Sequence, residues 1–138
     1  MIRLLYSSQA AQDITEQGIA DILGKSQKNN DEAGITGILV YGGQLFMQVL
    51  EGPELAVLKL YVTICEDARN SLNKIIYISY TDKRMFGDWS MGIIQCDPIA
   101  YQKIFDLNSR ATETIEPGSF RDTMRDFLRR LNSAKKDT

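Results

Sequence analysis

Histidine is absent from this 138-residue chain. Its absence removes the commonest general base near neutral pH and the commonest metal ligand, so a triad hydrolase or a zinc enzyme fits poorly. Cysteine is scarce too. Cys65 and Cys96 are the only two, far apart and without paired spacing, so neither a disulfide framework nor a thiolate metal site is implied. No apolar run approaches the ~18 residues of a membrane span, and no basic-then-apolar leader opens the chain. The expectation is a cytoplasmic protein with no membrane partner. An excess of basic charge is also missing: 16 Lys and Arg stand against 18 Asp and Glu, which argues against whole-surface attraction to nucleic acid. What is present suits one soluble globular domain, with 43% hydrophobic and 25% charged residues and length enough to bury a core. No repeat or low-complexity tract appears.

Periodicity along the chain predicts alternating elements. Residues 2–6 read as a strand, with Ile2, Leu4 and Tyr6 on one face. Residues 15–30 read as a helix, with Thr15 as N-cap and Ile19, Ile22 and Leu23 in one stripe. A turn is expected at 31–34, then strands at 35–41 and 45–50 joined through Gly42-Gly43. The second of these is apolar on both faces and belongs in the middle of a sheet. Pro53 suits the first position of a helix that buries Val57, Leu58, Tyr61, Ile64 and Cys65. A strand at 74–80, a polar connection at 81–88 and a short fifth strand at 89–94 complete the order βαββαββ. That order predicts an α+β, ferredoxin-like sandwich with its first four strands arranged 4-1-3-2. The expected division is one domain over 1–97 and a helical extension over 98–138. Tyr101, Ile104 and Phe105 mark one terminal helix, and Phe120, Met124, Phe127, Leu128 and Leu131 another. The two would cover the sheet face opposite the first pair of helices. The basic residues from Arg121 to Lys136 read as the solvated side of the last helix, with contact to DNA or membrane as the alternative.

Three polar features fall where apolar residues are expected. Gln48 interrupts the run Leu45-Phe46-Met47-Gln48-Val49-Leu50. A buried primary amide needs partners for two donors and a carbonyl, and can bridge two different groups; an edge position with the amide in water is the plainer explanation. Ser26, Asn29 and Asn30 continue the stripe of Ile19, Ile22 and Leu23, so the inward side of the first helix turns polar near its end. Taken alone, helix-end capping by Ser and Asn is the readier explanation, and a ligand with a hydrogen-bonding edge is the alternative. Tyr6 lies on the first strand, which neighbours the third in the order 4-1-3-2, and by itself is an ordinary core tyrosine. Taken together, a tyrosine, an amide and two asparagines converge between two helices. That suits a planar ligand with a hydrogen-bonding edge better than a dry core.

The motifs Tyr6-Ser7-Ser8-Gln9, Ser26-Gln27-Lys28-Asn29-Asn30, Gly34-Ile35-Thr36-Gly37, Phe46-Met47-Gln48-Val49-Leu50-Glu51-Gly52 and Phe86-Gly87-Asp88-Trp89-Ser90-Met91 resemble, in content and order, those of BLUF blue-light photoreceptor domains. The resemblance covers about residues 1–97 and continues less specifically into the short single-domain members that end in two helices. It implies a blue-light sensor that is not itself an enzyme. FAD would lie between the two helices, with FMN as the alternative. Asn30 and Asn29 would bond the polar edge of the flavin, Ser26 would help orient the ring, and Ile22, Ile35 and Leu39 would form apolar walls. Gln48 would sit between Tyr6 and the flavin N5/O4 side. Light would drive an electron from Tyr6 to the flavin with proton movement through Gln48, leaving Gln48 rearranged by rotation or tautomerisation. Trp89 and Met91, expected to alternate on one face of the fifth strand, form the family's second switch element. Where many relatives carry a basic residue on the second helix and a D-x-R-H motif, this chain has Thr63 and Asp67-Ala68-Arg69-Asn70. Arg69 and Lys59 are then the candidates for holding phosphate. By the same resemblance the output is a homo-oligomer, or contact with a separate regulatory or effector protein. The competing classes are a flavin-dependent redox enzyme and a cofactor-free ferredoxin-like interaction module.

Overall fold

The computed structural model describes residues 1–11, 15–42, 44–89 and 91–95, together with Arg125 and Arg129, which have helical backbone. The terminal helices expected around 101–105 and 120–131 otherwise lie outside the described residues. Seven elements follow one another: β1 (Ile2–Ala10), α1 (Glu16–Ala33), β2 (Thr36–Gly42), β3 (Leu45–Gly52), α2 (Glu54–Glu66), β4 (Asn70–Tyr80) and β5 (Gly92–Gln95).

The first helix starts where expected, the Thr15 hydroxyl accepting from the Gly18 amide at 3.0 Å. It ends later. In place of a turn at 31–34, α1 runs to Ala33 and stops at Gly34, whose φ of 73° and amide bonds to Asn30 O and Asp31 O close the last turn. Glycine enters this left-handed conformation without steric penalty. Pro53 is the N-cap of α2 and not its first residue. The buried side of α2 centres on Val57, Leu60, Tyr61 and Ile64, while Leu58 and Cys65, expected inside, are exposed. In the β2–β3 turn the left-handed residue is Gln44, with φ 65°, and Gly42 still belongs to β2.

The five strands form one sheet in the order β4-β1-β3-β2-β5. Every neighbouring pair is antiparallel except β2 and β5, which are parallel. This is the ferredoxin-like arrangement with a fifth strand added beside β2. β1 is longer than residues 2–6, because Ser7, Ser8 and Gln9, although polar, pair with β3 on one side and Ser7 and Gln9 with β4 on the other. At Gly37 the backbone of β3 leaves no room for a side chain. A Cβ there would lie 1.9 Å from the Val49 carbonyl oxygen, so only glycine fits this position of the Ile35-Thr36-Gly37 motif.

Alternation along the strands gives the sheet two apolar faces. Toward the helices lie Ile2, Leu4, Tyr6, Leu39, Phe46 and Leu50, packed with Val57 of α2. On the reverse lie Leu5, Ile38, Val40, Met47, Val49 and Ile76. The segment 81–88, expected as a polar connection, crosses this reverse face and inserts Phe86, fully buried, with Met85 packed beside it. β5 begins only at Gly92, so Trp89 and Met91 precede it and share no strand face. Trp89 packs against the reverse cluster, whereas Met91 joins the helix-side cluster. The Trp89 carbonyl accepts from the Gly37 amide at 3.0 Å, next to the Ile38 position that pairs with Gly92.

Candidate functional site

Sheet register brings the site together. Tyr6 of β1 and Gln48 of β3 are direct cross-strand partners, and Gln48 is opposite Leu39 of β2. The three therefore form one row on the helix side. α1 and α2 stand over that row and leave a cleft between them. Its walls include Tyr6, Ser8, Ile22, Asn29, Asn30, Leu39, Gln48, Arg69, Asn70 and Met91. Counting the open space at its mouth, the cleft spans about 840 Å³. A second hollow shares Asn29, Asn30, Leu60 and Thr63 with the first and extends past Ile35 and Lys59.

Of the residues singled out from the sequence, Tyr6, Gln48, Asn30, Asn29, Ile22, Leu39, Arg69 and Met91 line the main cleft. Ile35 is buried and lines the adjoining hollow. Trp89 is on the other side of the sheet. Ser26 belongs to α1, but its side chain lies outside the described residues. Sequence reasoning missed Ser8 and Asn70 as parts of the wall. Period-two continuation from Tyr6 was the available signal for Ser8.

The polar groups form a directed chain. Tyr6, 3% exposed, donates its hydroxyl to Gln48 Oε1. Gln48 Nε2 in turn donates to Met91 Sδ at 3.2 Å. The carbonyl and the amino group of one side chain thus face different partners. Burial, followed by the neighbouring Tyr61, Cys65 and Asp67, pushes Tyr6 ionisation well above the ordinary tyrosine range, so Tyr6 is a neutral phenol with a fixed acceptor. Tyr61 of α2 packs edge-on against it, ring centroids 5.2 Å apart. Asn30 is 1% exposed and sits in the last turns of α1, while Asn29 beside it is exposed. Arg69 is not a free cation. Its Nε lies 3.0 and 3.1 Å from the two Asp67 carboxylate oxygens, and this pairing raises its pKa further. Thr63 turns its hydroxyl into its own helix, toward the Lys59 carbonyl at 3.1 Å.

A flavin fits this chemistry. Ser8 Oγ and Asn70 Oδ1 are buried in the cleft wall without a hydrogen-bond partner among the described residues, and buried polar atoms in native folds are normally paired. Apolar walls from Ile22 and Leu39 are suited to a planar ring, and Asn30 to its heteroatom edge. Among the described residues there is no cluster able to hold a metal, and no helix is long and apolar enough to cross a membrane.

Fold and cleft thus set a tyrosine–glutamine pair in the wall of a cleft that suits a planar, hydrogen-bonding ligand. The family described as "BLUF: Sensors of blue-light using FAD" matches residues 1–92. The chain is 37% identical over 87 residues to the photoactivated adenylate cyclase subunit alpha of Euglena gracilis, a match spanning 63% of this chain and 8% of that protein. It is 33% identical over 88 residues to the blue light- and temperature-regulated antirepressor BluF of Escherichia coli K12, spanning 64% of this chain and 22% of that protein. Among solved structures, BlsA in its photo-activated state superposes with a TM-score of 0.77 at 26% identity, over 92% of this chain and 94% of that one. The dark-state structure of BlrB, a BLUF protein, gives 0.76 at 27% identity, over 94% and 96%. The chain belongs to the BLUF family of blue-light sensors that use flavin. It spans only a small part of the two curated relatives and nearly the whole of the two short structures.

Proposed function

We propose that this chain is a blue-light receptor in which Tyr6 and Gln48 form the photoactive pair and FAD is the flavin. Bound flavin supplies the absorption of blue light and, when excited, an oxidant within reach of a donor. Tyr6 is that donor: it is a neutral phenol hydrogen-bonded to an acceptor, and losing the proton toward Gln48 Oε1 makes its oxidation easier. After charge returns, the Gln48 amide is left in its alternative arrangement, with donor and acceptor exchanged. Asn30 and Asn29 hold the polar edge, and Ile22, Leu39 and, from the adjoining hollow, Ile35 hold the ring. Ser26 helps set its orientation. With Arg69 engaged by Asp67, Lys59 in the wall of the adjoining hollow is the cation offered to the phosphate end, although Arg69 still borders the main cleft.

The observation that carries this reading is the Tyr6–Gln48–Met91 chain, one amide addressing two partners in the cleft wall. The chain itself performs no catalysis. Residues 1–97 sense and residues 98–138 pass the signal on from the cytoplasm, through altered self-association or through a separate regulatory or effector protein. Met91 is the switch partner of Gln48, and Trp89, across the sheet edge, reports its movement to the reverse face. The test is the light-minus-dark absorption spectrum of the purified, flavin-loaded chain. Wild type gives a reversible red shift. Tyr6→Phe and Gln48→Ala bind flavin and lose the shift; a normal photocycle in either variant refutes the assigned roles.

A further inference from the structure

Glu51 lies three residues beyond Gln48 on β3 and faces the other way. It is fully buried, and a buried carboxylate is tolerated only when its oxygens are paired. Oε2 accepts from Arg3 Nε at 2.8 Å and from the Met85 amide at 2.9 Å, and Oε1 accepts from the Phe86 amide at 2.6 Å. Arg84, one residue before Met85, completes the knot. Its Nη1 donates to Thr36 Oγ1 at 2.8 Å and to the Glu51 carbonyl at 3.0 Å, and its Nη2 to the Gly34 carbonyl at 2.6 Å.

Each of these attachments leads to the cleft. Gly34 caps the helix that carries Asn29 and Asn30, Thr36 opens the strand that carries Leu39, and Glu51 shares β3 with Gln48. From Phe86 the chain runs to Trp89, whose carbonyl holds the Gly37 amide, and then to Met91, the partner of Gln48. One guanidinium and one carboxylate therefore tie three walls of the site to the segment that delivers Met91.

We propose that Arg84 and Glu51 are positioning residues of the photoreceptor: they set where Met91 stands relative to Gln48, and through it the rate at which rearranged Gln48 returns in the dark. The inference rests on the light-sensing reading above. Glu51→Gln places an amino group where the Met85 or Phe86 amide needs an acceptor, so the segment must shift. Arg84→Lys keeps the charge but replaces a planar fork that meets three acceptors with a single point.

The experiment measures flavin occupancy, red shift, dark-recovery rate and thermal stability of the full flavin-loaded chain. The variants are Arg84→Lys, Glu51→Gln, Met91→Leu and the pairs with Met91→Leu. Arg84→Lys, the milder change, keeps the test usable if Glu51→Gln does not fold. Expected are flavin-loaded variants that keep a red shift and recover at rates altered by about threefold or more. In the Met91→Leu background that effect shrinks, since contacting residues couple and independent ones add. Unchanged recovery in folded variants, or full additivity with Met91→Leu, overturns the proposal even where stability falls. A wild-type chain that binds flavin but shows no red shift overturns the light-sensing reading and this inference with it. A normal wild-type photocycle with unaffected variants overturns the inference alone.

Discussion

Replacing Met91 by leucine tests how the two arrangements of Gln48 are balanced. Met91 is 3% exposed, and leucine keeps nearly its volume, so the fold should lose less than about 1.5 kcal/mol. What leucine lacks is the sulfur that accepts from Gln48 Nε2 at 3.2 Å. A thioether accepts but never donates. In the proposed mechanism, exchanging the ends of the Gln48 amide would set its carbonyl oxygen against that sulfur, acceptor facing acceptor, so Met91 would favour only the arrangement in which Nε2 donates to it. An unpaired buried donor costs about 1–3 kcal/mol, and a weak acceptor such as sulfur puts the loss near the lower end. About 1 kcal/mol corresponds to roughly fivefold in an equilibrium. The dark form of Met91→Leu is raised by that amount while the rearranged form is not, so recovery in the dark should slow by up to about fivefold. Absorption followed after a blue-light pulse gives the rate directly. Recovery that is unchanged or faster in a stable, flavin-loaded Met91→Leu protein would show that the sulfur does not hold the dark arrangement.

Four further outcomes are expected. Gly37→Ala forces a Cβ to within 1.9 Å of the Val49 carbonyl oxygen, so β2 and β3 must separate; chemical denaturation should show a loss of about 3 kcal/mol or more, beyond ordinary overpacking, and a loss under 1 kcal/mol would mean the strands part easily. Asn30→Ala removes a buried amide from the cleft and leaves a flavin polar group unpaired at about 1–3 kcal/mol, so equilibrium dialysis should show roughly fivefold or greater weakening of flavin binding; unchanged affinity would reduce Asn30 to a helix-end residue. The photocycle should be insensitive to pH between about 6 and 9, since the ionisation of Tyr6 is raised above its ordinary value of about 10. A raised tyrosine pKa means that only the unfolded chain releases this proton as pH passes 10, so the Tyr6 contribution to stability is complete below that value and falls by about 1.4 kcal/mol per pH unit above it. Tyr6→Phe should remove that part of the alkaline slope, which thermal melts between pH 9 and 11 would register.

Gln48 was legible because an amide stands alone in an apolar strand, and Tyr6 because the strand order sets the first and third strands side by side. Their direct pairing depends on the register of β1 against β3, two strands that no tight turn joins, and is invisible in the composition of either. The far half of β1 was hidden by its polarity. Ser8 is buried through ladder bonding on a strand whose side chains give no apolar signal. Trp89 and Met91 were misassigned to one face because strand alternation was applied before Gly92, where the chain is not yet a strand. Met85 and Phe86 were overlooked inside a segment judged by its charges. Glu51 was noticed only as a letter of the Phe46–Gly52 motif, and Arg84 not at all. In sequence they are ordinary surface charges, and only the folded sheet reveals a buried carboxylate and a fork with three acceptors.

Infrared difference spectroscopy on isotope-labelled protein would report whether light changes the Gln48 side chain through Tyr6. Light-minus-dark spectra would be taken of the flavin-loaded chain with and without ¹³C at the glutamine side-chain carbonyl. Expected is a band pair that shifts with the label in wild type and is missing in both Tyr6→Phe and Gln48→Ala. A full reversible red shift without any label-sensitive band, or the same bands in Gln48→Ala, would contradict the roles proposed for Tyr6 and Gln48.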